Sequence, residues 1–67
     1  MKIQVNNIPE EFAVESMTVN ELLGEKNFTF KMLVIRINDQ LVKKTEYDTA
    51  RIHDGDDVQV LHLISGG

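Results

Sequence analysis

Residues Ser16-Met17-Thr18-Val19-Asn20-Glu21-Leu22-Leu23-Gly24 hold the one helical signature of the chain. Thr18 followed three residues later by Glu21 is a capping box. The threonine hydroxyl can accept from an amide of the first turn, and the glutamate can reach back to the amide of Thr18. Met17, just before the cap, is placed as a hydrophobic staple against Leu22. Val19, Leu22 and Leu23 fall on one helical face. Gly24 is a weak helix former and marks the approach to the helix end. The pattern predicts a short helix of about two to three turns.

Everything around this segment is patterned as strand or turn. Lys2-Ile3-Gln4-Val5-Asn6 alternates polar and apolar, Asn6-Asn7-Ile8-Pro9 is a turn signal, and Glu11-Phe12-Ala13-Val14-Glu15 alternates again. Together they predict an N-terminal hairpin. After a connector over 27–31, Met32 to Ile37 reads as a strong strand. Leu33, Ile35 and Ile37 face the core, and Val34 and Arg36 face the other way. Asn38-Asp39-Gln40 is a tight turn into a short strand, Leu41-Val42. Lys43 to Ile52 reads as polar and irregular, anchored by Tyr47. His53-Asp54-Gly55-Asp56 is a turn signal, and Val58 to Ile64 is a final strand with Val58 and Val60 inward.

A single helix must then cover one face of the sheet, because nothing else can bury Ile3, Val5, Ile35, Ile37, Val58 and Val60. The first and last strands can pair in parallel at the sheet centre. The expected fold class is α+β, a ubiquitin-like β-grasp with a mixed sheet packed on one main helix. Residues 1–67 are expected to form one domain, with a flexible C-terminal tail over 65–67.

Composition narrows the function. A chain of 67 residues buries only roughly 60% of the surface of its unfolded state, which leaves little stability for a deep substrate cavity. Cysteine is absent. Disulfides, thiolate metal sites, cysteine nucleophiles and side-chain persulfides are thereby excluded. Eleven acidic residues against seven basic ones give a formal charge of −4, which argues against nucleic acid as a partner. Residues 1–20 lack the basic start and apolar run of a signal peptide, and no stretch has the length of a membrane span. A cytoplasmic protein that binds neither nucleic acid nor membrane is expected.

The chemistry points to Ser65-Gly66-Gly67. Two glycines directly after a core strand make a thin, mobile tail that can thread a channel closed to larger side chains. The terminal carboxylate is a poor electrophile, and ATP can activate it as an acyl-adenylate. That step needs Mg²⁺ and cationic groups around the phosphates. The chain has no phosphate-binding loop, so a partner must supply them.

Val34-Ile35-Arg36-Ile37-Asn38-Asp39-Gln40-Leu41-Val42 resembles the strand-turn-strand of the ThiS family, the thiamine-biosynthesis sulfur carriers. So does Asp54-Gly55-Asp56-Asp57-Val58-Gln59-Val60-Leu61 with His62 and the Gly-Gly end, and Thr18-Val19-Asn20-Glu21-Leu22-Leu23 matches the family's helix start. The resemblance covers nearly the whole chain. Asp39 stands where the family often has Gly, Lys43-Lys44 replaces a more usual Pro-containing stretch, and Tyr47 sits where Trp is common.

The resemblance implies a non-catalytic carrier. A ThiF-type, E1-like adenylyltransferase would activate the carboxylate of Gly67 with Mg-ATP. A cysteine desulfurase relay would supply sulfur to form a terminal thiocarboxylate, and thiazole synthase would consume it. Gly67 would be the carrier residue, with Gly66 and Ser65 its tail, and no cofactor would be bound by the carrier itself. The alternatives are the small subunit of molybdopterin synthase, a ubiquitin-like modifier joined to lysines through Gly67, and a passive binding module.

Leu61 and Leu63 alternate with the inward positions of the last strand. With Val34 they are expected to form an apolar partner-binding patch on the open sheet face. His53 and His62, with Asp54, Asp56 and Asp57 nearby, fit no metal-ligand spacing. Glu10, Glu11 and Glu15 read as a solvated strand edge, and Ser65 lacks the His-acid partners of a nucleophile.

Overall fold

The computed structural model of the protein describes residues 1–28 and 32–62. The elements run β1 (Lys2–Val5), β2 (Ile8–Glu11), β3 (Ser16–Thr18), α1 (Val19–Glu25), β4 (Leu33–Ile37), β5 (Gln40–Val42), a 3-10 turn (Lys44–Glu46), β6 (Arg51–His53) and β7 (Asp57–His62). A five-stranded sheet has the order β2-β1-β7-β4-β5, and β3 and β6 form a separate two-stranded ladder. β1 and β7 pair in parallel at the centre, and the other neighbours are antiparallel. This is the expected β-grasp, one helix against a mixed sheet. Among the described residues no helix is long and apolar enough to cross a membrane.

The helix forms where its cap places it. Thr18 Oγ1 accepts from the Glu21 amide at 3.1 Å, and Glu21 Oε1 accepts from the Thr18 amide at 2.9 Å. The two preceding first-turn amides are met by other elements: Val19 donates to the Ala50 carbonyl and Asn20 to that of Tyr47. The orphan donors of the helix start are therefore accounted for, and the same bonds fasten α1 to the segment before β6. The other end closes as a Schellman motif. Phe28 donates to the Leu23 carbonyl at 2.8 Å, Asn27 donates to that of Gly24 at 3.2 Å, and Asn27 holds φ +57°. Asn27, not Gly24, is the left-handed stop residue; Gly24 lies inside the last turn.

The core consists of Ile3, Val5, Met17, Val19, Leu22, Ile35, Val42, Tyr47, Ile52, Val58 and Val60. Tyr47 is the expected anchor, and Ile37 packs half-buried at the margin.

Two expectations are corrected. The second strand of the hairpin spans Ile8–Glu11, not Glu11–Glu15. Asn6 and Asn7 both adopt left-handed φ, +53° and +67°, so two residues complete the turn and the strand restarts at Ile8. Pro9 is tolerated there because β2 is the sheet edge. The stretch Lys43 to Ile52 is also more ordered than its composition suggests. It contains the 3-10 turn and the first two residues of β6, whose Ile52 is fully buried opposite Met17 of β3.

Candidate functional site

The last strand leads into the segment that carries the terminal glycines, so the site is built around β7. Leu63, Ser65, Gly66 and Gly67, all singled out from the sequence, lie outside the described residues. Val34 and Leu61 are described, and the register brings them together: they are directly paired across the β4–β7 ladder.

Both flanks of β7 are gripped by asparagine side chains. On the β1 side, Asn6 Oδ1 accepts from the Val60 amide at 2.8 Å, and Asn6 Nδ2 donates to the Val60 carbonyl at 3.1 Å. The Asn6 amide also donates to the Val58 carbonyl at 2.9 Å. β1 itself ends in register at Val5–Val58. The Asn6 side chain thus replaces one further rung of the ladder, towards the tail end of β7. At the opposite end Asn38, in the β4–β5 turn, accepts from the Asp57 amide through Oδ1 at 2.9 Å, and its own amide donates to the Asp57 carbonyl at 2.8 Å. Its Nδ2 donates to Asp56 Oδ1 at 3.0 Å. Asn38 and Asp39 hold φ +50° and +67°, so Asp39 completes this turn without the usual glycine.

The acidic run before β7 is occupied in turn closure. Asp54 Oδ1 accepts from the Lys2 amide at 2.6 Å, and Asp56 Oδ2 accepts from the His53 amide at 2.8 Å. Gly55 supplies the left-handed φ of +87° that this turn requires. No group of three or more histidine, aspartate or glutamate side chains is placed to hold a metal ion among the described residues. Glu10 and Glu11, expected as a plain solvated edge, are both ion-paired: Glu10 with Lys26 at the helix end, Glu11 with Lys2.

The sheet face turned away from α1 is the second component. Leu61 is 45% exposed and Val34 is half-buried. Two rungs away, on the same face, Leu41, Arg36 and Gln59 form a row across three strands, since Arg36 pairs with both Leu41 and Gln59. Leu41 is 62% exposed, the most exposed large apolar side chain among the described residues. Sequence reasoning left it out of the patch. The signal was present in Leu41-Val42: if Val42 faces inward, Leu41 must face out.

Among the described residues one titration is shifted. The Thr18 backbone amide, and then its hydroxyl, hold the Glu21 carboxyl below the ordinary carboxylate range, helped slightly by Arg51. It belongs to the helix cap, remote in sequence from β7.

Comparison with known proteins gives the arrangement its context. The ThiS family model matches residues 3–67, through to the last glycine. A thiazole synthase of Paramagnetospirillum magneticum is 33% identical over all of this chain, which spans 20% of that protein's length. The sulfur carrier protein ThiS of Bacillus subtilis is 22% identical over 97% of this chain and 98% of its own. The crystal structure of the thiamine biosynthesis protein ThiS from Geobacter metallireducens superposes with a TM-score of 0.89 at 28% identity, covering all of both chains. The solution structure of the Geobacter metallireducens thiamine biosynthesis protein gives 0.80, covering 100% of this chain and 88% of the other. With a match that spans the helix cap, the paired strands and the terminal glycines, the chain belongs to the ThiS family.

Proposed function

We propose that the protein is a sulfur carrier of thiamine biosynthesis and a co-substrate of other enzymes, not itself a catalyst. The observation that carries this reading is the family match running through Gly66-Gly67. Gly67 is the carrier residue. An E1-like, ThiF-type adenylyltransferase joins its carboxylate to AMP from Mg-ATP and releases pyrophosphate. The outer sulfur of a persulfide supplied by a cysteine desulfurase relay attacks the acyl-adenylate and displaces AMP. A second thiol then cleaves the resulting acyl disulfide, leaving a terminal thiocarboxylate and a disulfide. Thiazole synthase takes that sulfur for the thiazole ring.

The body of the protein contributes position. Because the Asn6 and Asn38 side chains bond Val60 and Asp57, the strand that precedes the tail is held in place at both flanks. Gly66 and Ser65 keep the approach thin. Val34 and Leu61 supply apolar surface towards the end of β7. A partner held on this surface keeps the carboxylate in its active site while the chemistry proceeds.

The test is reconstitution of thiazole formation with purified ThiF-type enzyme, desulfurase and thiazole synthase. Thiazole accumulates with the full chain and stops when Gly67 is deleted. The described core residues lie between Ile3 and Val60, so the truncated chain unfolds at the temperature of the full one. Undiminished thiazole formation without Gly67 would refute the assignment.

A further inference from the structure

The open sheet face carries a positive charge at its centre. Arg36 is exposed, with Leu41 and Gln59 as its paired neighbours on either side. Such directly opposed residues sit about 4.5–5.5 Å apart. Val34, two residues earlier on the same face, leads to its own partner Leu61. The described ion pairs are Lys2–Glu11 and Lys26–Glu10, and neither these nor the side-chain hydrogen bonds include Arg36. A surface that covers Val34, Leu41 and Leu61 must also cover Arg36, which shares their face, and remove water from its guanidinium. Desolvating that charge without an acceptor is costly, and a carboxylate meets its planar fork with two parallel hydrogen bonds.

We propose that Arg36 is the charged anchor of this face, and that the docking surface of thiazole synthase presents a carboxylate set among apolar groups to receive it. The inference rests on the sulfur-carrier reading and adds the chemistry of the partner's surface. A partner carboxylate complements Arg36, whereas symmetric docking of a second copy of the chain on the patch centre would bring two Arg36 guanidiniums together. Leu41 and Leu61 flank the anchor and exclude water from it. The chain's net charge of −4 does not favour an acidic partner, so recognition depends on this local inversion of sign.

The experiment is calorimetric titration of purified thiazole synthase with the full-length carrier at low and high NaCl. Wild-type carrier binds and loses affinity with salt. Arg36→Met keeps the length of the side chain, loses at least about tenfold in affinity and flattens the salt dependence, because a partner carboxylate is left unpaired. Arg36→Glu loses more, through like-charge repulsion. Leu41→Ser also weakens binding but keeps the salt slope. Lys44→Met removes one positive charge from the 3-10 turn and binds as wild type. All variants are checked for unchanged thermal unfolding.

Wild-type affinity in Arg36→Met and Arg36→Glu, alongside intact wild-type binding, would overturn the anchor while leaving the carrier reading in place. Equal losses for Lys44→Met and Arg36→Met would also overturn it, since net charge alone would then be responsible. A wild-type carrier that is thiocarboxylated but does not bind thiazole synthase would remove the proposed occupant. Self-association through the patch, strengthened in Arg36→Met, would assign the face to a second copy instead.

Discussion

Two consecutive rungs of the β4–β7 ladder have opposite fates. Ile35 opposite Val60 is sealed beneath α1, with Ile35 fully buried. Val34 opposite Leu61, the next rung, faces away from the helix, and Leu61 remains 45% exposed. The residue types are nearly the same, so composition does not distinguish them. Strand alternation and the single helix do. One rung stabilises the body through burial. The other leaves apolar surface exposed on the face proposed for docking.

The largest effect expected from this contrast is on the covered side. Ile35→Ala destabilises by about 2–5 kcal/mol, the range for a fully buried truncation, measured by urea unfolding. The same experiment on Leu61→Ser gives a change within about 0.5 kcal/mol. Equal losses from the two would break the comparison.

Asn6 sharpens the comparison, because it decides where β7 stays fixed. Asn6→Ala loses both side-chain bonds to Val60 and places alanine at a φ of +53°, for a loss of about 2–3 kcal/mol. Asn6→Gly removes the backbone strain and retains only the part due to the lost bonds, about 1–2 kcal/mol. If glycine were as harmful as alanine, the clamp would account for the whole effect.

The cap of α1 comes next, since that helix makes the covered face covered. Thr18→Ala removes the hydroxyl that accepts from the Glu21 amide and lowers stability by about 1 kcal/mol, while affinity for a partner on the far face of the sheet is unchanged.

The smallest effect is on pH dependence. Glu21 has a lowered native pKa, so its contribution is fully present above its unfolded value and is lost as pH falls through the lowered native one. Glu21→Gln therefore flattens stability against pH on the acid side only, and has no effect on the slope near neutrality. An unchanged acid limb in the variant would remove the cap as its cause.

Much of this was legible in local patterns. Thr18 and Glu21 announced the helix start, and the alternation in Leu33–Ile37 and Val58–Val60 identified the inward residues. What escaped detection depended on tertiary partners. β6 is three residues long, too short for alternation to register, and Ile52 is buried because Met17 lies opposite. Pro9 suggested a turn, whereas its place on an edge strand made it compatible with pairing. The reach of Asn6 to Val60, across 54 positions, has no local signature. Of the proposed site, the tail and the patch residues Val34, Leu61 and Leu63 could be named from the sequence with their surroundings left open, and of these Val34 and Leu61 lie among the described residues. Leu41 emerged once the register of β5 placed it beside Arg36.

Whether Gly67 carries sulfur is read most directly from the intact mass of the protein. The chain is incubated with a ThiF-type enzyme, Mg-ATP and a sulfur donor, then fragmented to locate any change. The expected result is a gain equal to the exchange of one oxygen for sulfur, confined to Gly67. An unchanged mass with an enzyme that thiocarboxylates another ThiS protein in parallel, or a sulfur placed elsewhere in the chain, would contradict it.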